Sequence, residues 1–317
     1  MILVKDIKLP PEKAADVKKA AAKKLAVSED DITDIKILRR SIDARKKPMY
    51  IFTAAVSLRN EKNVSGERYE GIKPIYIKKA KFRKRPVIAG FGPAGMFAAL
   101  MLARAGAMPL VLEQGKSVEE RKRDVAAFFS GGELCESSNI QFGEGGAGTF
   151  SDGKLTTGTN APAHAWILKT FVEAGASSDI LWQAMPHIGS DVLPGVVDKL
   201  VERIREAGGE VRWYTRMCEL VVEQGCLAGV RVAVEAPGRP AKLEEIRCSQ
   251  AILACGHSAR DVFSQLKEQG LTLEPKVFSM GVRIEHPQNM INKVQYGGIA
   301  NSDALPVASY KLSCHLK

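Results

Sequence analysis

The segment VIAGFGPAGMFAALMLARAGAMPLVLEQG, residues 87–115, constrains the fold of this chain more than any other. It contains an apolar strand, the spacing GxGxxG at Gly90, Gly92 and Gly95, an apolar helix and a second apolar strand that ends at Glu113. In such βαβ units the first glycine makes a tight turn, the second lets the backbone approach a pyrophosphate, and the third allows close packing of helix and strand. The helix N-terminus attracts the pyrophosphate, and a terminal acid accepts hydrogen bonds from the two ribose hydroxyls of an adenosine. The order of these signals predicts an α/β, Rossmann-like dinucleotide-binding fold.

A second GxGxxG match lies in FGEGGAG, at Gly143, Gly145 and Gly148. The sequence that follows, TFSDGKL, has no helical periodicity and contains another glycine, so no helix dipole is available for a pyrophosphate. We therefore predict no second nucleotide fold here. These glycines let the backbone run against a flat ring or against a phosphate held elsewhere, and a merely flexible loop is the alternative.

Composition narrows the class of protein. Residues 1–86 hold 23 Lys and Arg against 11 Asp and Glu, whereas the remaining residues hold 23 against 25, so the net charge of +10 comes from the first quarter. A basic segment indicates nucleic acid, anionic lipid or an acidic partner, or simply a solvated face. The six cysteines show no metal or dithiol spacing, and no signal peptide or membrane-spanning run is recognised. We expect a cytoplasmic protein without a membrane segment.

The pattern along the chain predicts a small N-terminal α+β domain ahead of the main domain. Its predicted elements are a strand at 1–9, a helix at 11–25, and strands at 32–38 and 50–58 joined by a basic loop at 39–47. The predicted divisions are 1–80, the basic α+β domain; 81–160, the first part of the dinucleotide-binding domain; 161–214, an inserted helical segment on the substrate side; 215–265, the meander and Ala-Cys-Gly strand of the dinucleotide-binding domain; and 266–317, the incomplete start of a substrate domain.

The later strands favour FAD over NAD. No further βαβ repeat is recognised after Glu113, and a three-strand meander at 218–234 and 243–249 leads into the turn Ala254-Cys255-Gly256. This arrangement resembles the crossover segment of glutathione-reductase-type flavoproteins, in which such a turn passes close to the nucleotide. The carboxylate of Glu113 also disfavours a 2′-phosphate, because like charges repel.

Three motifs carry a resemblance to a known family: NIQFGEGGAGTFSDGKL at 139–155, PHIGSDVL at 186–193 and LACGHSARD at 253–261. They resemble a poorly characterised family of bacterial FAD-dependent dehydrogenases with a small basic N-terminal domain. The resemblance covers nearly the whole chain and implies FAD and a two-dinucleotide-type fold, but no substrate. Such flavoproteins have a late Gly-Asp segment for the ribityl chain, and this chain has no candidate. We therefore expect a C-terminally truncated form that is inactive alone.

The predicted cofactor-binding residues come from the two glycine motifs, the end of the second strand, the next helix and the Ala-Cys-Gly turn. They are Gly90, Gly92, Pro93, Ala94, Gly95, Glu113, Gln114, Arg121, Gly145, Gly146, Gly148, Ala254, Gly256 and His257. Arg121 is included because it is positioned to reach a phosphate, with a surface position as the alternative. His257 either contacts the cofactor or begins a helix, for which Ser258 and Asp261 have capping-box spacing.

Two residues are candidates for catalysis, and no metal site is predicted. His187 precedes a predicted helix and is the acid–base candidate, because histidine side chains in general change protonation near neutral pH; a structural role is the alternative. Lys154 is a candidate for stabilising a reduced, anionic flavin, with a solvated lysine as the alternative.

The leading functional hypothesis is a flavin-dependent oxidoreductase that acts on an unidentified small molecule, with NAD(P)H or the substrate itself as electron donor. A second hypothesis keeps the flavin and uses the basic N-terminal domain to bind RNA, although no RNA-binding motif is recognised. A third is a nucleotide-binding interaction protein without turnover. The sequence does not indicate the oligomeric state.

Overall fold

The computed structural model describes residues 1–61, 64–151, 153–157, 161–235, 238, 240–278, 280–282, 284–310 and 312. The chain forms two compact units. The first comprises Met1–Lys73, Leu181–Pro186 and Lys276–Lys317, and the second comprises Pro74–Ile180 and His187–Pro275. This grouping differs from the predicted divisions, because residues 276–317 belong with the N-terminal residues and 181–186 separate from the rest of 161–214.

The first unit contains a three-stranded antiparallel sheet with strand order β1-β3-β2. Its elements are β1 (Ile2–Leu9), a 3-10 helix (Pro11–Asp16), α1 (Val17–Leu25), β2 (Ile32–Asp43), β3 (Met49–Leu58) and α7 (Gln288–Tyr296). Side chains alternate along β3, so that Tyr50, Phe52, Ala54, Val56 and Leu58 enter the core with the alanines of α1.

The prediction of a basic loop at residues 39–47 is partly wrong, because β2 continues to Asp43. Arg40 pairs with Phe52 in the sheet, and its backbone also pairs with residues 182–184: its N–H donates to the Trp182 carbonyl at 2.7 Å, and its carbonyl accepts from Ala184 at 3.0 Å. The Arg40 guanidinium lies over the rings of Tyr50 and Trp182. These long-range contacts favour a strand where local sequence indicates a loop.

The second unit is built on a parallel sheet with strand order β10-β4-β5-β6. Its strands are β4 (Val87–Ala89), β5 (Leu110–Leu112), β6 (Glu210–Arg212) and β10 (Ala251–Leu253). Its helices are α2 (Pro93–Arg104), α3 (Val118–Phe129), α4 (Ala163–Glu173), α5 (Leu193–Glu206) and α6 (Arg260–Glu268). The fold is therefore mixed α/β with a parallel sheet.

Strand β6 corrects the expectation that no further βαβ repeat follows Glu113. It lies parallel to β5, with Val211 opposite Val111, and the chain reaches it through α3, α4 and α5. The sequence pattern indicates a short strand in VRWYT, residues 211–215, but so short a strand carries too little periodicity to reveal its parallel pairing with β5.

The meander is present as β7 (Thr215–Glu223), β8 (Cys226–Val234) and β9 (Lys242–Arg247). The chain then enters β10 and α6. The capping box expected from Ser258 is absent, because α6 is capped by Ala259 without a side-chain bond, and Asp261 instead pairs with Arg216 at 2.8 Å. Within the described part of the chain, every helix is too short or too polar to cross a membrane.

Candidate functional site

A cavity of about 280 Å³ lies in the second unit, at the carboxyl ends of the parallel strands. This edge is where open α/β sheets bind ligands. The cavity is lined by residues 89–94, 112–114, 141–143, 146–147, 215–217, 254–259 and 262. Most of the predicted cofactor-binding residues lie in this lining: Gly90, Gly92, Pro93, Ala94, Glu113, Gln114, Gly146, Ala254, Gly256 and His257.

The first glycine motif forms the tight turn between β4 and α2. Gly90 has a φ of +96°, and a Cβ there would lie 2.4 Å from the Ala254 carbonyl oxygen. A Cβ on Gly95 would lie 2.0 Å from the Gly90 carbonyl oxygen, so Gly95 permits close packing and does not line the cavity. Gly92 differs, because its nearest neighbour would be the Gly146 Cα at 3.9 Å. A side chain at position 92 therefore enters the cavity without disturbing the fold.

The N-terminus of α2 faces this cavity with its first-turn backbone. Gly92 is the N-cap and offers no side-chain bond, and Pro93 has no N–H to satisfy. The N–H groups at the start of a helix have no intrahelical partner and carry partial positive charge. The arrangement suits an anionic group such as a pyrophosphate.

Glu113 is the central side chain of the site. It is 4% exposed, and its carboxylate accepts three backbone hydrogen bonds: from Phe91 at 2.8 Å, from Gly115 at 2.9 Å and from Gly143 at 3.0 Å. A carboxylate has about four acceptor positions. The geometry therefore leaves room for about one ribose hydroxyl, whereas the sequence indicated two.

The second glycine motif packs its backbone against the first. The N–H of Gly145 donates to the Phe91 carbonyl at 2.9 Å, and a Cβ on Gly146 would lie 2.8 Å from the Gly92 Cα. The motif ends in a 3-10 turn over Gly146–Gly148, and the described residues 149–151 and 153–157 contain no helix. Gly146 lines the cavity, while Gly145 and Gly148 do not.

Arg121, which the sequence indicated as a phosphate ligand, lies elsewhere. It is 0% exposed, and its guanidinium donates to the carbonyls of Asn139, Glu144 and Ile140 at 2.7, 2.7 and 2.9 Å. Burial lowers its pKa to about 10, although Glu113 and Glu144 oppose that shift. Arg121 remains positive at neutral pH. Its three hydrogen bonds hold the backbone of the second glycine motif, and Arg121 does not line the cavity.

Glu144 is a buried acid that the sequence analysis did not single out. Its carboxylate accepts from the Val118 N–H at 2.9 Å and from the Trp213 indole N–H at 3.1 Å. Burial raises the pKa of Glu144 to about 7, and Asp198 contributes to the rise. The sequence offered one signal for this role: Glu144 lies inside a glycine motif. A charged residue that is buried at such a position needs hydrogen-bonding partners.

The turn after β10 forms the opposite wall of the cavity. The Ala254 N–H continues the pairing with Ala89 at 2.8 Å, and residues 254–259 line the cavity. Burial raises the pKa of the Cys255 thiol, which keeps it neutral. His257 is exposed, and its Nε2 lies 3.4 Å from the Ser258 hydroxyl.

The two catalytic candidates lie together but outside the cavity lining. Lys154 and His187 form an isolated antiparallel bridge, and the Ile188 N–H donates to the Gly153 carbonyl at 3.2 Å. Both candidates are exposed. The structure therefore brings them together through the backbone, and the cavity gives no geometric support for a role of either in catalysis.

Residues 215–217 line the cavity and were missed. Arg216 is a cation in this wall and pairs with Asp261 and with Glu235. These residues begin β7, and only the tertiary structure brings them to the cavity.

Two family models match parts of the chain. A domain of unknown function, DUF8436, matches residues 1–57, and the model described as "FAD-dependent protein, C-terminal domain-like" matches residues 277–317. A protein of Clostridium beijerinckii, described as an uncharacterized protein, is 39% identical over 308 residues, which are 94% of this chain and 56% of that protein. The chain thus spans about half the length of the curated relative that it matches.

Several solved structures resemble the chain over part of its length. THI4 of Thermovibrio ammonificans has a TM-score of 0.41 at 16% identity and covers 60% of this chain and 64% of its own. L-proline dehydrogenase of P. horikoshii has a TM-score of 0.39 at 12% identity, with coverages of 61% and 57%. Glycine oxidase of Bacillus cereus has a TM-score of 0.36 at 12% identity, with coverages of 59% and 58%.

Proposed function

We propose that this protein binds FAD and acts as a flavin-dependent oxidoreductase on a small molecule. The observation that carries the proposal is the cavity between the N-terminus of α2 and the buried carboxylate of Glu113, into which the open position at Gly92 faces. The match of residues 277–317 to an FAD-dependent C-terminal domain supports FAD as the dinucleotide. The meander and the Ala-Cys-Gly turn, which lines the same cavity, support it as well.

The residues present fit the adenosine half of such a cofactor. The first-turn N–H groups of α2 would hold the pyrophosphate, and Glu113 would accept one ribose hydroxyl in addition to its three backbone bonds. Gly92 leaves space that a side chain would fill, and Gly146 lets its backbone pack closely against Gly92. When bound, the flavin supplies the hydride-accepting chemistry, and the protein contributes binding, orientation and exclusion of water.

The electron donor and the substrate are proposed only by class: NAD(P)H or the substrate itself reduces the flavin. A nucleotide-binding protein without turnover is the competing function, because the cavity by itself requires only binding. Reduction of bound flavin by NADH or NADPH, followed by loss of its visible absorbance, would separate the two functions.

Titration of the protein with FAD, followed by flavin fluorescence, tests the binding proposal. Gly92→Val should weaken FAD binding at least tenfold, because the valine methyls occupy the space of the pyrophosphate; tenfold corresponds to about 1.4 kcal/mol. The matched control is Gly195→Val on the exposed side of α5, where a Cβ meets nothing within 4 Å. Equal affinity of the Gly92→Val and Gly195→Val proteins would exclude this cavity as the site.

A further inference from the structure

The connector from Pro74 to Pro86 concentrates charge of one sign. It holds six Lys and Arg residues and no Asp or Glu, and the acid-free stretch runs from residue 71 to residue 112. Residues 1–73, by contrast, hold 17 Lys and Arg against 11 Asp and Glu. The connector therefore carries cations alone, whereas residues 1–73 interleave charges of both signs.

The backbone of the connector is hydrogen-bonded to other residues of the second unit, to which the connector itself belongs. The Ala80 N–H donates to the Ala105 carbonyl at 2.9 Å, and the Lys79 ammonium donates to the Arg104 carbonyl at 3.1 Å. Arg85 donates to the carbonyls of Met108 and Pro109 and pairs with Glu210 at 2.6 Å. These contacts fix the connector at both ends of its cationic part, so its charges are presented in a defined arrangement.

The cations of the connector other than Arg85 are exposed. Along residues 79–83 the exposed Lys79, Lys81 and Arg83 alternate with the half-buried Ala80 and Phe82. Lys78, Lys79, Lys81, Arg83 and Lys84 are all exposed, so cations follow one another closely along the connector. We call this row of exposed cations, Lys78 to Lys84, the track. A row of positive charges suits a ligand that carries negative charges at regular intervals.

The neighbouring carboxylates are already engaged. Glu210 pairs with Arg85 and Arg212, and Glu223, which faces Lys84, pairs with Arg247. Among the described residues, Lys78, Lys81, Arg83 and Lys84 form no ion pair with these carboxylates. A polyanion that neutralises them would release condensed counterions and gain affinity.

An aromatic ring stands beside the track. Tyr76 is 83% exposed, whereas its neighbours Ile75 and Ile77 are half-buried. We propose that the connector 74–86 is a binding surface for single-stranded nucleic acid, in which the cations contact successive phosphates and Tyr76 stacks on a base. An anionic membrane is disfavoured because lasting attachment needs a second, apolar signal, and Ile75, Ile77 and Phe82 of the connector are half-buried.

This proposal does not depend on bound flavin. It differs from the RNA-binding hypothesis drawn from the sequence, because it assigns nucleic-acid binding to the connector and not to the N-terminal domain. The test measures binding of the full chain to a fluorescein-labelled uridine 20-mer by fluorescence anisotropy, at salt concentrations from about 50 to 200 mM. Tyr76→Ala should weaken binding roughly tenfold, and Tyr76→Phe should preserve it, because the ring alone supports stacking.

The variant K78Q/K81Q/R83Q/K84Q should weaken binding. The slope of the logarithm of the binding constant against the logarithm of the salt concentration should become less steep by about 3, since each phosphate contact of a single strand contributes about 0.7 to that slope. The matched control K13Q/K18Q/K19Q/K23Q removes the same charge from the first helical region of the N-terminal unit and should keep most of the affinity. Equal losses in both quadruple variants would overturn the proposal, as would absence of binding at low salt. Binding to vesicles of phosphatidylserine and phosphatidylcholine but not to the 20-mer would overturn it in favour of a membrane.

Discussion

The carboxylate of Glu113 lies 2.8 Å from the backbone nitrogen of Phe91, inside the turn that begins α2. The same carboxylate accepts the N–H of Gly143 at 3.0 Å, so one buried side chain joins the two glycine motifs. Glu113 therefore shapes the cavity as well as lining it. Its substitution should affect folding and ligand binding together, because the three donors that it satisfies are buried.

Glu113→Gln should lower the free energy of unfolding by about 1–3 kcal/mol, since the amide NH₂ would oppose one of the three backbone N–H groups and leave it unsatisfied. Urea denaturation measures this change. Glu119→Gln is the control, because Glu119 is exposed and forms only a surface pair with Lys122. Its effect should stay within about 0.5 kcal/mol. Identical urea midpoints for the two variants would contradict the structural role of Glu113.

The glycines of the first motif should differ sharply in their tolerance of alanine. Gly90→Ala places a Cβ 2.4 Å from the Ala254 carbonyl oxygen at a φ of +96°, so the backbone must move or the variant unfolds. The left-handed conformation alone costs about 1–2 kcal/mol. Gly92→Ala meets nothing closer than 3.9 Å and should change the stability by about 0.5 kcal/mol or less. Thermal unfolding of both variants checks the contrast, and equal melting temperatures would refute it.

Arg121→Lys separates a structural role from phosphate binding. A single ammonium group cannot reach three carbonyls in different directions, so we expect a loss of about 1.5–3 kcal/mol in stability. The control is Arg123→Lys, which changes an exposed position two residues along α3. FAD affinity, measured without denaturant, should remain close to that of the unaltered protein. Reduced FAD affinity with unchanged stability would instead restore Arg121 as a phosphate ligand.

Glu144 should make the stability depend on pH. Its pKa is about 7 in the folded protein and 4.5 as an unperturbed group, so the folded state holds a proton that the unfolded state releases. Its stabilising contribution is complete below pH 4.5 and is lost as the pH rises to about 7. Glu144→Gln keeps the two accepted hydrogen bonds without the charge, and should therefore exceed the unaltered protein in stability at pH 8 by on the order of 1–3 kcal/mol.

Urea denaturation at pH 4.5 and pH 8 measures this difference. Near pH 4.5 the unaltered protein and Glu144→Gln should have similar stability, because Glu144 is then protonated in the folded state. Glu133→Gln, at an exposed position, is the control and should show no comparable pH-dependent gain. A gain for Glu144→Gln that is the same at both pH values would show that the carboxyl does not titrate in this range.

The sequence by itself determined the strand–helix–strand unit from β4 to β5 and the elements long enough to show a helical or strand periodicity. The glycines restrict the backbone locally, and long apolar helices and antiparallel strands repeat their pattern over many residues. For this reason the first glycine motif, Glu113 and the Ala-Cys-Gly turn were identified, and the structure places Gly90, Gly92, Glu113 and Ala254 around one cavity.

Tertiary structure decided the features that depend on contacts between distant residues. Strand β6 has only three residues and is defined by its pairing with β5, while the extension of β2 to Asp43 depends on β3. The burial of Arg121 and Glu144 follows from three carbonyls, an N–H and an indole that come from separate parts of the chain. Local sequence describes a residue's own preferences, whereas these interactions arise only when folding brings their partners within hydrogen-bonding distance.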